Sequence, residues 1–186
     1  MKPESGITFS VIAILFANLN FLYLQEFGMS GDLVNYVHAK QAEIPYSNWI
    51  NYTDPEGKFM LQYPDDWNSL GREVKGTDLT LVAPGGFFNG LLTVKFQQFP
   101  SFLTSALKNM NISEAFPEFL TGFSTDFPDF KKIGEANYSK YTIDEQKAAS
   151  QAFSSSFLAE EGYKHIGIVV WAVVDQQPIS VVFGSN

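Results

Sequence analysis

The chain has 186 residues, of which 45% are hydrophobic and 17% are charged, and this composition excludes disorder throughout because it supplies enough apolar material for a packed domain. Its formal net charge of −8 disfavours binding to nucleic acid, and docking of the folded domain on anionic lipid headgroups. The absence of Cys excludes disulfides, thiolate metal sites and thiol nucleophiles.

The first element is an apolar run from Ile7 to Leu24 that contains no formally charged side chain. A helix of this length would span roughly 27 Å, close to a thin hydrocarbon core. We therefore predict a signal anchor or a signal peptide over residues 1–27, followed by a juxtamembrane linker over residues 28–48. A cleaved signal peptide is the first alternative, although the small residues near Gly28 match a cleavage site poorly. A helix buried in the domain is the second, and the lack of a one-sided apolar stripe disfavours it.

Polar residues within this run predict contacts between helices in the membrane, because intramembrane polar groups favour helix pairing. The interaction candidates are Asn18, Asn20 and Tyr23. Lys2 precedes the run and acidic residues follow it, so we expect the amino terminus to stay in the cytoplasm and the remaining chain to lie outside.

Three Asn-x-Ser/Thr sequons lie in the part of the chain that would then be exported, at Asn51, Asn111 and Asn137. Each would accept an N-linked glycan in a glycosylating compartment.

Alternation of apolar and polar residues predicts three strands in the next part of the chain, over residues 59–63, 79–81 and 92–96. Pro64 ends the first strand. The turn-forming residues 83–86 predict that the second and third strands form an antiparallel hairpin.

Two segments with helical spacing follow, over residues 103–110 and 116–123. Ser113 is placed to cap the second helix, and Pro117 fits if it lies in the first turn. The Phe residues of this helix are expected to pack in the core.

Residues 134–143, 146–157, 166–174 and 179–183 have the patterns of strands, joined in pairs by turns at residues 144–145 and 175–178. The strand over residues 166–174 is apolar on both faces, so it is predicted to be a central strand covered on both sides. The predicted fold is an α+β domain over residues 49–186, in which a mostly antiparallel central sheet is sandwiched between helices.

One segment, residues 52–67, resembles the opening of PsbP-like domains, where a Tyr-x-Asp…Gly-Phe turn leads into a strand ending in Tyr-Pro-x-x-Trp. Gly57 supplies the backbone freedom of the turn, and Trp67 is expected to cover the sheet edge. Lys58 stands between the glycine and the aromatic residue, a departure from the pattern. The matching residues are Tyr52, Asp54, Gly57, Phe59, Tyr63, Pro64 and Trp67.

A second segment, from Phe127 to Ala148, is similar to the crossover of this family from its long helix into a hairpin. The resemblance covers roughly residues 49–183. It implies a sheet between helices, an extracytoplasmic location and a non-catalytic role; the best-known members are extrinsic subunits on the lumenal side of photosystem II. The family usually ends with a helix after the last strand, which this sequence does not contain. We therefore expect either a longer natural chain, or a partner or the linker over one face of the sheet.

Residues able to carry chemistry are few and scattered. Two separate histidines without Cys do not form a structural zinc site, and the serine run lacks the Gly-x-Ser-x-Gly elbow. The acidic residues near turns are expected to be solvated, and His165 to be a strand-edge residue. These candidates are His38, His165, Asp54, Glu56, Asp65, Asp66 and Ser154 to Ser156.

The sequence therefore predicts no catalytic, cofactor or metal site, and a chain that is not an enzyme. The predicted function is that of an extracytoplasmic accessory domain, tethered to the membrane, which docks on a membrane protein complex or envelope assembly. A small-molecule or metal-ion binding protein with a pocket between sheet and helices is an alternative. A hydrolase with dispersed carboxylates is a more distant one.

Overall fold

The computed structural model describes residues 7–9, 48–87, 89–97, 111–127, 129–156 and 165–185. The chain forms two compact units, Met1–Asp65 and Asp66–Asn186.

The first unit contains a three-stranded sheet with the order β1-β3-β2. Its strands are β1 (Ile7–Phe9), β2 (Trp49–Thr53) and β3 (Phe59–Pro64). β2 pairs with β3 antiparallel, whereas β1 pairs with β3 parallel. Alternate side chains of β3 are buried, which confirms the strand predicted from its sequence.

The apolar run at the amino terminus begins as a strand. Ile7–Phe9 pair with Phe59 to Leu61 of β3, so these three residues do not start the predicted helix. The rest of the run, which includes Asn18, Asn20 and Tyr23, lies outside the described residues. Within the ranges given above, no helix combines the length and hydropathy that a membrane crossing requires.

The second unit contains a seven-stranded sheet with the order β4-β5-β6-β10-β9-β8-β7, in which every neighbouring pair is antiparallel. The predicted hairpin of β5 and β6 is confirmed. β9 lies inside the sheet and nearly all of its side chains are buried, as its apolar sequence predicts. The strands are β4 (Asn68–Gly71), β5 (Leu79–Val82), β6 (Leu91–Phe96), β7 (Lys131–Ile143), β8 (Gln146–Ser155), β9 (His165–Val174) and β10 (Gln177–Ser185).

Two-residue turns join β7 to β8 and β9 to β10. Asp144 and Glu145 form the first, and Asp175 and Gln176 form the second. All four residues have positive φ, between 48° and 67°, as in the type I′ turns whose twist matches that of paired strands. The second turn is shorter than predicted, because β10 begins at Gln177.

The edge strand β7 has irregular pairing with β8, with register shifts on both sides of Asn137. The buried amide of Gln151 donates to the carbonyl oxygens of Ile133 and Gly134, at 3.0 and 3.3 Å. These bonds satisfy backbone acceptors where the regular ladder is interrupted.

One helix, α1 (Ile112–Ser124), crosses the sheet within the described part of the chain. Its cap differs from the prediction: Asn111 precedes the helix, and its Oδ1 accepts from the backbone N–H of Ser113 at 3.1 Å. Because the helix begins at Ile112, Pro117 lies in the second turn and not in the predicted first turn. In the second turn, the proline removes one intrahelical hydrogen bond. The other helical segment predicted, residues 103–110, falls outside the described residues.

The two faces of the large sheet have different coverings. Helix α1 packs on one face, where Phe116 and Phe119 stack on Trp171 of β9 with ring centroids 6.2 and 5.3 Å apart. Trp67 packs on the other face, 6.0 Å from Phe183, so it covers the interior strand β10 and not the predicted sheet edge. A Cβ on Gly90 would lie 3.1 Å from the Trp67 ring, so a glycine permits this contact.

Candidate functional site: a cavity beside helix α1

The second unit contains a cavity of about 930 Å³ on the face of the sheet that carries α1. Strands β5, β6, β9 and β10 form its floor, α1 forms one wall, and the loop from Val74 to Thr77 forms part of another. Its volume is within the range of small-molecule sites.

Hydroxyl groups on adjacent strands occupy the floor. Thr80 pairs with Thr93 across β5 and β6, and Ser180 of β10 pairs with Lys95, the next residue of β6 on the same face. Thr80 and Ser180 are buried, with exposed fractions of 0% and 3%. Polar side chains at core-facing positions of interior strands are unusual unless they have partners.

The hydroxyl of Thr80 has a defined direction. Thr77 Oγ1 donates to the carbonyl of Val74 at 2.8 Å and lies 3.0 Å from Thr80 Oγ1. Since a hydroxyl has one proton, Thr80 donates to Thr77. Thr80 Oγ1 therefore keeps only acceptor capacity.

Aromatic side chains form the wall beside the helix. Phe119, Phe123 and Phe127 are half-buried, and consecutive rings in this row are 5.6 and 4.5 Å apart. Trp171 lies beneath Phe119, and its indole N–H donates to Gln97 Oε1 at 3.2 Å. The predicted core role of the helix rings is confirmed for Phe116, whereas Phe119 and Phe123 pack against the core and also line the cavity.

Gln97 fixes one end of the cavity. Besides accepting from Trp171, it donates its backbone N–H to the Pro178 carbonyl at 2.9 Å. Its own carbonyl accepts from Gln177 Nε2 at 2.7 Å. These bonds join the ends of β6, β9 and β10, so this end of the cavity is held by both backbone and side chains.

His165 is the first residue of β9, as predicted, but it is 4% exposed and lines the cavity. A Cβ on Gly184 would overlap its imidazole, so the glycine in β10 makes the space for the ring. Sequence reasoning missed this role because β9 and β10 bring the two residues together only in the correct register.

The acidic residues near the first turns differ from one another in burial. Asp54 is 2% exposed, and its Oδ2 accepts from the backbone N–H groups of Glu56 and Lys58 at 3.0 and 3.2 Å. The prediction of a solvated carboxylate is therefore wrong for Asp54, which organises the turn at Gly57. Asp65, Asp66 and Glu56 are exposed, as expected, and Glu56 pairs with Lys58 at 2.9 Å.

The serine run and the sequon asparagines are not among the described residues that line the cavity. Ser154 and Ser155 are buried in β8, and Ser156 donates to Asp129 Oδ2 at 3.0 Å. All three sequon asparagines are exposed, and each side-chain oxygen accepts a hydrogen bond: Asn51 from Gln62, Asn111 from Ser113, and Asn137 from Ser139 and Lys140. His38 lies outside the described residues, within which no group of three acidic or His side chains is arranged to hold a metal ion.

The remaining fold-motif residues lie in β2, in β3 and in the turn between them. Tyr52 contacts Phe59 with ring centroids 5.7 Å apart, and Gly57 has a φ of 72° in the turn between β2 and β3. Phe59, Tyr63 and Pro64 are buried in β3.

Comparison of the sequence with protein-family models and with curated proteins finds no match. The structure is similar to the solution structure of cyanobacterial PsbP (CyanoP) from Synechocystis sp. PCC 6803, with a TM-score of 0.50 and 13% sequence identity over 77% of this chain and 83% of that chain. It is also similar, with a TM-score of 0.36 and 12% identity over 75% and 83%, to a protein of unknown function from Pseudomonas aeruginosa. The likeness to CyanoP shows that this chain has a PsbP-like fold.

Proposed function

We propose that the chain is a non-catalytic accessory domain on the extracytoplasmic side of a membrane, where it docks on a membrane protein complex or envelope assembly. The observation that carries this proposal is the PsbP-like fold, because the family resemblance implies an extrinsic role outside the cytoplasm. The apolar amino-terminal run supports export of the chain.

A membrane tether and the pairing of β1 with β3 would use the same amino-terminal residues. If Ile7–Phe9 stay paired with β3, residues 10–24 remain for the membrane and would span about 22 Å as a helix, less than a typical hydrocarbon core. A span over the whole run requires β1 to leave β3. The anchored form and the β1-paired form are therefore alternative states of the same residues.

Extraction of native membranes with alkaline carbonate, followed by intact-mass measurement, tests this tether. A signal anchor predicts the full-length chain in the membrane pellet. A cleaved signal peptide predicts a soluble chain lacking the first 27 or so residues, and would support export without the tether. Recovery of the intact chain in the carbonate supernatant would contradict both.

Exposed apolar side chains on the first unit are the candidate docking surface. Trp49 and Met60, 37% and 41% exposed, lie on the same face of the β2–β3 pair. Trp and Met are among the residue types that are enriched at protein interfaces.

Site-specific photo-crosslinking in native membranes tests this docking. A photoreactive phenylalanine analogue at Met60 is expected to give a discrete adduct with a partner, because this side chain would be covered in the complex. The same analogue at Thr121, an exposed residue of α1, is the matched control. Identical adducts from both positions, or none from Met60, would contradict docking through this surface.

A glycan on Asn51 would compete with a partner for the same surface. Asn51 lies between Trp49 and Thr53 on β2, on the face that Met60 shares, so a glycan there would cover the docking surface. We therefore expect glycans, if the chain carries them, at Asn111 and Asn137. Mass shifts on enzymatic deglycosylation of Asn→Gln variants measure the occupancy of each site, and full occupancy of Asn51 would exclude this surface.

A second candidate function is small-molecule binding, which the cavity beside α1 favours. A ligand present at a hundred times its dissociation constant should stabilise the chain by about 2.7 kcal/mol. A thermal-shift screen with uncharged, anionic and cationic compounds would detect this effect.

A further inference from the structure

We infer that the cavity beside α1 is a binding site for an uncharged, amphipathic small molecule that has an apolar body of ring size and a hydrogen-bonding head group. This inference rests on the second candidate function, small-molecule binding, and assigns it a site and a class of ligand.

Helix α1 leaves the cavity open at Gly122. Gly122 lies in the last part of α1 and lines the cavity, and a Cβ added there would meet no atom within 4 Å. Glycine is the least favourable helix residue apart from proline, so it is expected where a side chain would obstruct something. Here no part of the described protein would be obstructed; only the cavity would be filled.

Apolar side chains on two sides of the cavity would contact the apolar body of the ligand. Phe119, Phe123 and Phe127 keep part of each ring exposed, although they pack against one another. Across the cavity, Leu91 and Val182 are also half-buried. A ligand between these two sets would remove apolar surface from water on both sides.

Hydroxyl groups on the floor of the cavity would contact the head group of the ligand. Thr93 and Ser180 lie on neighbouring strands and line the same stretch of floor. Ser180 lines the cavity although it is only 3% exposed. Thr80 retains only acceptor capacity, as shown above. The floor therefore offers hydroxyl groups to a ligand hydroxyl or carbonyl group.

The charged side chains around the cavity favour an uncharged ligand. Among the lining residues that the structure describes, the Lys, Asp and Glu side chains are Lys75 and Lys95, and Glu118 and Asp126 on α1, so their two signs balance. All four side chains are exposed and lie at the rim. An ionised group on the floor would lose its hydration, and none of these four charged side chains is buried beside it, which is unfavourable. The site therefore fits an uncharged ligand.

The experiment uses three probes with the same ring system: a bromonaphthol, which is uncharged at neutral pH, the corresponding bromonaphthoate anion, and a bromonaphthylmethylammonium cation. Binding to the full-length chain is followed by quenching of tryptophan fluorescence, because Trp171 lines the cavity and bromine quenches at short range. The bromonaphthol is expected to bind at least about tenfold more tightly than either charged probe.

Two variants of α1 test the position. Gly122→Leu should fill the cavity and weaken bromonaphthol binding at least about tenfold, while the thermal unfolding midpoint is kept or raised. Thr121→Leu adds a similar side chain to the same helix, at an exposed position that does not line the cavity, and should leave binding unchanged.

Substitution of the floor tests the head group. Ser180→Ala should weaken bromonaphthol binding by about threefold to tenfold, because one hydrogen bond is lost, whereas binding of bromonaphthalene, which has no head group, should not change. This comparison separates a hydrogen-bonding role from a general change in the cavity.

The outcomes distinguish the inference from the function on which it rests. If Gly122→Leu blocks a charged probe that binds more tightly than the bromonaphthol, the cavity binds small molecules but the ligand class is wrong. If bromonaphthol binds Gly122→Leu and the original chain equally, the assigned site is wrong. If no probe binds up to its solubility limit, both the inference and the small-molecule function are overturned.

Discussion

The two faces of the seven-stranded sheet differ sharply, although the same strands build both. On β6 and β10, the face away from α1 is formed by buried apolar residues such as Val94, Val181 and Phe183. The neighbouring positions on the other face include Thr93 and Ser180, which line the cavity. Because side chains alternate along a strand, each face has its own composition. On these two strands, one face therefore contributes mainly to stability, whereas the other borders the cavity.

The strongest test of this comparison substitutes adjacent residues of β10. Phe183→Ala should lower the free energy of unfolding by about 3–5 kcal/mol, because it leaves a cavity beneath Trp67 on the apolar face. Val182→Ala, on the cavity face, should cost about 1 kcal/mol or less since Val182 is only half-buried. Urea denaturation measures both values. Equal losses would mean that the cavity face is packed like the other one.

The second test replaces an apolar residue of β6 with a polar one, and the adjacent polar residue with an apolar one. Val94→Thr places a hydroxyl without a partner on the apolar face and should cost about 1–3 kcal/mol. Thr93→Val changes a residue that lines the cavity and should alter stability by no more than about 0.5 kcal/mol. A large loss from Thr93→Val would show that its hydroxyl is structural.

Tyr141 is an exception on the apolar face. It pairs with Ala148 and is 2% exposed, and within the described part of the chain its hydroxyl has no hydrogen-bond partner. Burial raises the pKa of Tyr141 to about 12, because desolvation penalises the phenolate. The folded state therefore holds the proton more tightly than the unfolded state, and stability should fall as the pH rises from about 10 towards 12.

Tyr141→Phe should remove this part of the alkaline loss, and should raise stability at neutral pH by up to about 1 kcal/mol because an unsatisfied hydroxyl is removed. Denaturation curves at neutral and alkaline pH measure both effects. A clear loss of stability at neutral pH would show that the hydroxyl has a partner, such as an ordered water.

The smallest expected effect is on the helix that borders the cavity. Gly122→Ala should stabilise the chain by about 0.5–1 kcal/mol, because alanine favours the helix and its Cβ meets no neighbour. The same change at Gly167 of β9 is the contrast, since a Cβ there would lie 2.7 Å from the Phe153 ring and should destabilise the chain. A loss of stability from Gly122→Ala would show that the cavity is smaller than the structure indicates.

Most strands could be predicted from the sequence, because the alternation of apolar and polar residues is local and can be recognised without knowledge of the partner strands. The predictions of the turn lengths and of the helix cap were less accurate. Ser113 and Asn111 are both good cap residues, and the choice depends on where α1 begins. The type I′ turn at Asp175 and Gln176 lacks the usual glycine, so its sequence did not reveal a two-residue loop.

The cavity could not be predicted, for a different reason. It is assembled from β6, β10 and α1, which are far apart in sequence, and the hydroxyls meet only in the observed register. The burial of Asp54 was missed because a turn carboxylate that bonds backbone N–H groups has the same sequence pattern as a solvated one. The PsbP-like resemblance was recognisable because its motif lies within one turn and strand.

The position of β10 between β6 and β9 has a consequence for how the chain folds. β7 to β10 include two hairpins closed by two-residue turns, which need little loop closure, whereas pairing of Ile179 with Phe96 closes a very long loop. We expect the carboxy-terminal hairpins to form early and β6 to join them late. In pulsed hydrogen exchange during refolding, amides shared by β9 and β10 should gain protection before those shared by β6 and β10, and simultaneous protection would contradict this order.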